Sequence, residues 1–152
     1  MFHVLIADDI AEKRDRLAEA VSDVGFGVPT VCLRHAHEAL AHIQANYRAI
    51  ILAIFDHTFG GEPITGIDLT IALRPLNPDS NIYLVTSHPR STEEYLRRER
   101  EAQKHGATGS FSTNMRPYDG YDWLYMELCE KKTDLLRKFG LLQGSPKHST
   151  KD

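Results

Sequence analysis

Three apolar stretches of this chain each run into oxygen-bearing side chains. Residues 49–55 lead to Asp56, residues 2–7 lead to Asp8 and Asp9, and residues 81–85 lead to Thr86 and Ser87. If the stretches are parallel strands of one sheet, three carboxylates and two hydroxyls meet at a single edge. Carboxylates crowded into a small volume repel one another and need protons or a cation to stay together. A hard divalent ion suits them, Mg²⁺ or in its place Mn²⁺, which takes carboxylate, water and phosphate oxygens. Beside such an ion an aspartate can attack a phosphoryl group and form an acyl phosphate. The Thr86 hydroxyl can donate to a phosphoryl oxygen. The plainer alternative for Asp8 and Asp9 is an acidic helix N-terminus without metal.

The elements that would position these groups alternate. Residues 2–7 read as a buried strand, and residues 10–24 as a helix with Ile10, Leu17, Ala18, Val21 and Val24 at helical spacing, closed by Gly25. Residues 28–33 read as a second strand and 36–46 as a second helix. Residues 49–55 are apolar without alternation, as in a central strand covered on both faces. A Gly- and Pro-containing loop, 56–65, precedes a short helix stopped by Pro75 and Pro78. A fourth strand over 81–86 is followed by a charged helix over 91–105, with Ser91 as its expected cap and Glu94 three residues on. Residues 108–112 form a weak fifth strand, and a long helix runs from about 119 to 139, with Gly140 as its stop. Five βα units without repeats or linkers indicate one doubly wound α/β domain with a five-stranded parallel sheet, (βα)5. Ligands of such sheets bind beyond the carboxyl ends of the strands, at the switch in strand order.

The 152 residues carry a net charge of −3 and no basic block, which disfavours nucleic-acid binding. No stretch approaches membrane-spanning length and no signal-peptide pattern opens the chain, so a cytoplasmic location is expected. Cys32 and Cys129 form no CxxC pair and read as two buried, reduced thiols.

In order and spacing, several pieces resemble the receiver domain of two-component response regulators. They are Val4-Leu5-Ile6-Ala7-Asp8-Asp9, the strand ending in Asp56, Gly66-Ile67-Asp68-Leu69 with Leu73-Arg74 and Asn77-Pro78, Leu84-Val85-Thr86-Ser87, and Gly106-Ala107. The resemblance covers about residues 2–130 and implies a flavodoxin-like fold. A receiver domain over 2–140 and a polar, disordered tail over 141–152 are expected. The resemblance makes Asp56 the phosphoacceptor. Asp8, Asp9, Asp56 and the backbone carbonyl of Thr58 would hold the metal, with Thr86 and Ser87 sensing the phosphoryl group and His57 and His88 lining the site. It implies a histidine kinase or phosphotransfer protein as donor. Signalling would be by contact with a downstream protein, since no DNA-binding or enzymatic output domain follows.

The departures from that pattern are specific. Receivers usually follow the fifth strand with Lys-Pro, and here the lysine position holds Thr113; Arg116, before Pro117, is the candidate substitute. The aromatic switch position on that strand falls on Ser110, and Phe111 fits only with a shift of one residue. The loop after Asp56 lacks Met-Pro and is about two residues longer than usual. These departures favour a rival, a pseudo-receiver acting as a phosphorylation-independent interaction or dimerisation module. A phosphatase with an aspartate nucleophile would want an acid two residues after Asp56, where Thr58 stands. A flavin site would want a hydroxyl- and glycine-rich loop where Asp8 and Asp9 stand.

His35, His37 and His42 read as solvated helix residues, because no fourth ligand is spaced to join them. The charged helix carries Glu94, Arg97, Arg98 and Glu101 at spacings that knit a solvated face, or alternatively present a partner surface. The end of the last helix, with Leu141 and Leu142, either packs back on the domain or mediates a homodimer. Enzymatic activity beyond self-phosphorylation and self-dephosphorylation is not expected.

Overall fold

The computed structural model describes residues 1–115 and 119–142. Strands β1 (His3–Ala7), β2 (Thr30–Leu33), β3 (Ile50–Asp56), β4 (Asn81–Thr86) and β5 (Gly109–Ser112) form one parallel sheet in the order β2-β1-β3-β4-β5. Helices α1 (Ala11–Val24), α2 (Ala36–Asn46), α3 (Gly66–Leu73), α4 (Glu93–Lys104) and α5 (Gly120–Lys138) connect and cover it. This is the flavodoxin-like, doubly wound (βα)5 arrangement expected. The strand order reverses direction at β1, which puts the switch point between β1 and β3.

β1, β3 and β4 are buried along their whole length, which is why their sequences are apolar runs without alternation. β2 is an edge strand, only half-buried and shorter than its apolar stretch; pairing to β1 covers Thr30 to Leu33 alone. The core divides at the sheet. Val4, Ile6, Leu52, Ile54, Val85 and Phe111 pack on one face under α1 and α5. Leu5, Ala53, Phe55, Ile82 and Leu84 pack on the other under α2, α3 and α4. Leu124, Leu128, Leu135 and Leu136 of α5 belong to the first cluster, and Leu141 and Leu142 pack partly buried against it.

Two further details of these elements differ from what the sequence suggests. The cap of α4 is Thr92, not Ser91: the Thr92 hydroxyl accepts from the Tyr95 backbone N–H at 3.2 Å. Thr92 occupies the extended position one residue before the first turn, where a short hydroxyl can reach that donor. Cys32 and Cys129 are exposed free thiols, not buried ones. Cys32 sits on the half-buried edge strand, and Cys129 lies on the solvent side of α5 beside the buried Leu128. The tail residues 143–152 and the Arg116–Tyr118 segment lie outside the described residues.

The end of the sheet away from the acids is tied by polar groups. Arg74 donates to the carbonyls of Gly106, Pro78 and Ser80 at 2.8, 2.9 and 2.7 Å, and to that of Asn77 at 3.3 Å. Asn77 and Ser80 donate in turn to the carbonyl of Ile50, at the start of β3. At the other end, α3 begins against the last residue of β3. A Cβ on Gly66 would lie 2.3 Å from the Asp56 carbonyl oxygen, a backbone atom that cannot swing aside. Gly66→Ala should therefore destabilise the fold by about 1–3 kcal/mol through overpacking. A urea midpoint unchanged from wild type would contradict this close approach.

Candidate functional site

Asp8, Asp9 and Asp56 converge at the switch point. Each offers a carboxylate oxygen, and the three atoms lie within 4.8 Å of one another. Asp8 is fully buried and Asp56 nearly so, while Asp9 is half-buried. One oxygen of Asp8 accepts from the Ile10 backbone N–H at 2.9 Å, ahead of α1. The other, Oδ2, is buried with no aligned hydrogen-bond donor. Asp9 Oδ2 accepts from the Gly60 N–H at 2.9 Å, and a Cβ at position 60 would stand 3.1 Å from that oxygen. The glycine lets the loop backbone come close enough to fix Asp9.

The longer loop after Asp56 is anchored at several points. Phe59 is buried in the core beneath it. Thr65 and Asp68 form a reciprocal capping box at the start of α3. Glu62 reaches across to α2, where its carboxylate accepts from the backbone N–H groups of Ala36 and His37 at 3.0 and 3.1 Å. His35, the residue before α2, makes no side-chain cap, so Glu62 supplies the negative end that this helix start lacks.

His35, His37 and His42 are engaged rather than simply solvated. His35 and His37 direct Nδ1 at the two Glu62 oxygens, at 3.4 and 2.8 Å, with their rings stacked. These three residues also bring ligand atoms within 4.8 Å of one another. His42 meets His3 of β1, nitrogen to nitrogen, at 2.8 Å. Glu62 lies 25 residues from His37 in sequence, so local spacing could not reveal the partnership.

Thr86 is buried at the end of β4, and its hydroxyl oxygen accepts from the His88 N–H at 3.2 Å. Ser87 is exposed and His88 half-buried; the Ser112 hydroxyl donates to the His88 carbonyl. Thr58, two residues past Asp56, is exposed in the loop. Thr113 follows β5, and its N–H donates to the Thr86 carbonyl at 2.9 Å. Phe111 is fully buried and stacks on Trp123 of α5, on the opposite face of the sheet from Ser110. Phe111 therefore does not reach the α4 side of β5, where Ser110 stands. Tyr95 of α4 covers Ser110, nearly fully buried, with its hydroxyl donating to the Ser110 carbonyl at 3.1 Å.

One residue of the site escaped sequence reading. Lys13, on the inward face of α1, places Nζ 3.0 Å from Asp56 Oδ1 and 3.2 Å from Asp8 Oδ2. The first contact is an aligned hydrogen bond and the second a simple ionic approach. The signal was present: positions 13, 17, 20, 21 and 24 form the buried stripe of the helix, and Lys13 is its charged member.

Burial dominates the electrostatics. It pushes the Asp56 carboxyl up to about 7; Lys13 opposes this, and Asp8 adds to it. Burial likewise raises Asp8, again against the pull of Lys13. For Lys13, burial disfavours the charge, but Asp56 and Asp8 outweigh it and leave its proton held more tightly than usual.

His57 has both ring nitrogens buried without a partner. Burial, with Arg98 nearby, pushes its imidazole down to about 4. The folded protein keeps this ring neutral while the unfolded chain takes up the proton near the ordinary value of 6.5. Stability from this source is complete above that value and declines as pH falls toward about 4. Asp56 acts in the opposite sense over an overlapping range, but equally in wild type and in a His57 variant. His57→Leu should therefore lose less stability than wild type when urea midpoints at about pH 7 and pH 5 are compared. Identical losses would contradict a buried neutral ring.

The fold is that of response-regulator receiver domains. The chain is similar to the crystal structure of a CheY-like response regulator receiver domain protein from Methanospirillum hungatei, at 22% identity and a TM-score of 0.65, over 91% of this chain and 98% of that one. It is also similar to the chemotaxis protein CheY4 of Vibrio cholerae, at 22% identity and a TM-score of 0.61, over 84% and 96%. NtrX from Brucella abortus gives 21% identity and a TM-score of 0.65 over 93% of this chain, which spans only 30% of that protein. No protein-family model and no curated protein sequence matches the chain. At these identities the likeness is one of fold.

Among the described residues, no helix is long and apolar enough to cross a membrane.

Proposed function

We propose that this chain is a receiver that accepts a phosphoryl group on Asp56 and signals by contact with another protein. The observation that carries this reading is the meeting of Asp8, Asp9 and Asp56 within 4.8 Å at the switch point of a receiver fold. The donor set is three hard carboxylate groups, and Asp8 carries in Oδ2 a buried oxygen without a hydrogen-bond donor, which fits Mg²⁺ or Mn²⁺. Asp8, Asp9, Asp56 and the Thr58 carbonyl would hold the ion. When bound, it supplies charge neutralisation for the incoming phosphoryl oxygens.

The chain's own residues account for the rest of the chemistry. An Asp56 oxygen attacks phosphorus in line with the donor's bond. With a phosphohistidine donor the P–N bond breaks, its electron pair returns to the imidazole, and the aspartyl phosphate forms. The Thr86 hydroxyl, at the end of β4, donates to a phosphoryl oxygen. Thr86 and His88 are joined by a hydrogen bond, and His88 by another to Ser112 of β5, so a change at Thr86 bears on the β4–β5 edge and on α4. The donor is a histidine kinase or phosphotransfer protein, and the output is protein–protein contact, with a homodimer as one form. The chain performs no other enzymatic reaction than its own phosphorylation and dephosphorylation.

A second reading, a phosphorylation-independent module, draws on the ammonium of Lys13 already lying among the acids and on Thr113 and Ser110 at the two output positions. Intact-mass analysis after incubation with acetyl phosphate and Mg²⁺ separates the two. Gain of one phosphoryl group, absent in Asp56→Asn, is the expected result. No gain, together with no beryllofluoride binding, would leave the second reading standing. Asp9→Ala should in parallel abolish the effect of Mg²⁺ on Trp123 fluorescence; a retained effect would remove Asp9 from the metal site.

A further inference from the structure

We propose that Lys13 is a built-in counter-ion of the acidic site, its ammonium standing in the space of the divalent cation and giving way when that cation binds. The inference rests on the metal-dependent reading above and deepens it. A lysine is almost never buried without partners, because an unpaired ammonium is expensive to remove from water. Lys13 is 8% exposed, and its partners are two of the three carboxylates that would ligate the ion. It approaches Asp8 at Oδ2, the oxygen left without an aligned donor, and bonds to Asp56 at Oδ1.

An ammonium and a divalent ion cannot share those oxygens. The ion needs a near-octahedral oxygen shell close around it, whereas the ammonium is a single charge with three donors at hydrogen-bond distance. Lys13 has the means to move. Its charge rides on a flexible four-carbon stem anchored near the start of α1, so it can leave Asp8 without disturbing the helix. Once displaced from those oxygens, the ammonium stays tethered by its stem at the edge of the site.

The test compares Mn²⁺ binding, by isothermal titration calorimetry, to wild type, Lys13→Met and Lys13→Gln. Removing the competing charge should tighten Mn²⁺ binding by about tenfold in either variant. In EDTA the variants should melt below wild type, because three acids then face one another without a cation, and Mg²⁺ should raise their melting temperature more than it raises that of wild type. Equal or weaker Mn²⁺ affinity in the variants would overturn the counter-ion role while leaving the metal site in place. Absence of Mn²⁺ binding in all three proteins would overturn both. A readout independent of variant folding is the ¹⁵N–¹H signal of the Lys13 ammonium in wild type. It should shift on addition of Mg²⁺, and a signal unmoved at saturation would overturn displacement.

Discussion

Burial of the Asp8 and Asp56 carboxylates, with Asp9 beside them, is the constraint to which the rest of the site answers. The doubly wound topology forces the ends of β1 and β3 together; β3 ends in Asp56, and β1 runs directly into Asp8 and Asp9. Water cannot screen the charges well, since Asp8 and Asp56 are buried. The fold meets this with backbone donors from Ile10 and Gly60, and with an ammonium carried in on α1.

How much of this was legible depended on whether a signal was local. The uninterrupted apolar runs marked β1, β3 and β4 because those strands are covered on both faces, and each run ended at the groups that matter. Lys13 was obscured by its neighbours. In Glu12-Lys13-Arg14-Asp15-Arg16 it looks like part of a charged surface, and only the stripe through Leu17, Ala20, Val21 and Val24 shows that it points inward. Glu62 was illegible for another reason. Its partners at the start of α2 come from a different βα unit, and no periodicity links them. The thiols went the same way: hydrophobic preference suggested burial, but a half-buried edge strand and the outer side of α5 left Cys32 and Cys129 exposed.

The fifth strand shows how an absent residue is met by packing from elsewhere. Phe111 follows Ser110, but alternation sends its ring to the α5 side, where it stacks on Trp123. The α4 side of that strand would be left with a bare serine. Tyr95 fills the space and satisfies the Ser110 carbonyl. Tyr95 and Ala102 are the buried residues of α4, whose remaining surface is largely charged. The seat of this helix on the sheet thus depends heavily on one aromatic ring, and that ring rests against the strand next to Thr86.

The polar fastening around Arg74 gives the molecule a mechanical polarity. One guanidinium gathers carbonyls from the turn before β4 and from the turn before β5, while Asn77 and Ser80 lash the same turn to the start of β3. Three strands are thereby clamped at their amino ends, like blades in a common handle. Their carboxyl ends, where the acids and Thr86 lie, have no such hub among the described residues. The carboxyl ends are tied by separate pairs instead: Lys13 between Asp8 and Asp56, the His57 N–H to the Val85 carbonyl, and the Thr113 N–H to the Thr86 carbonyl.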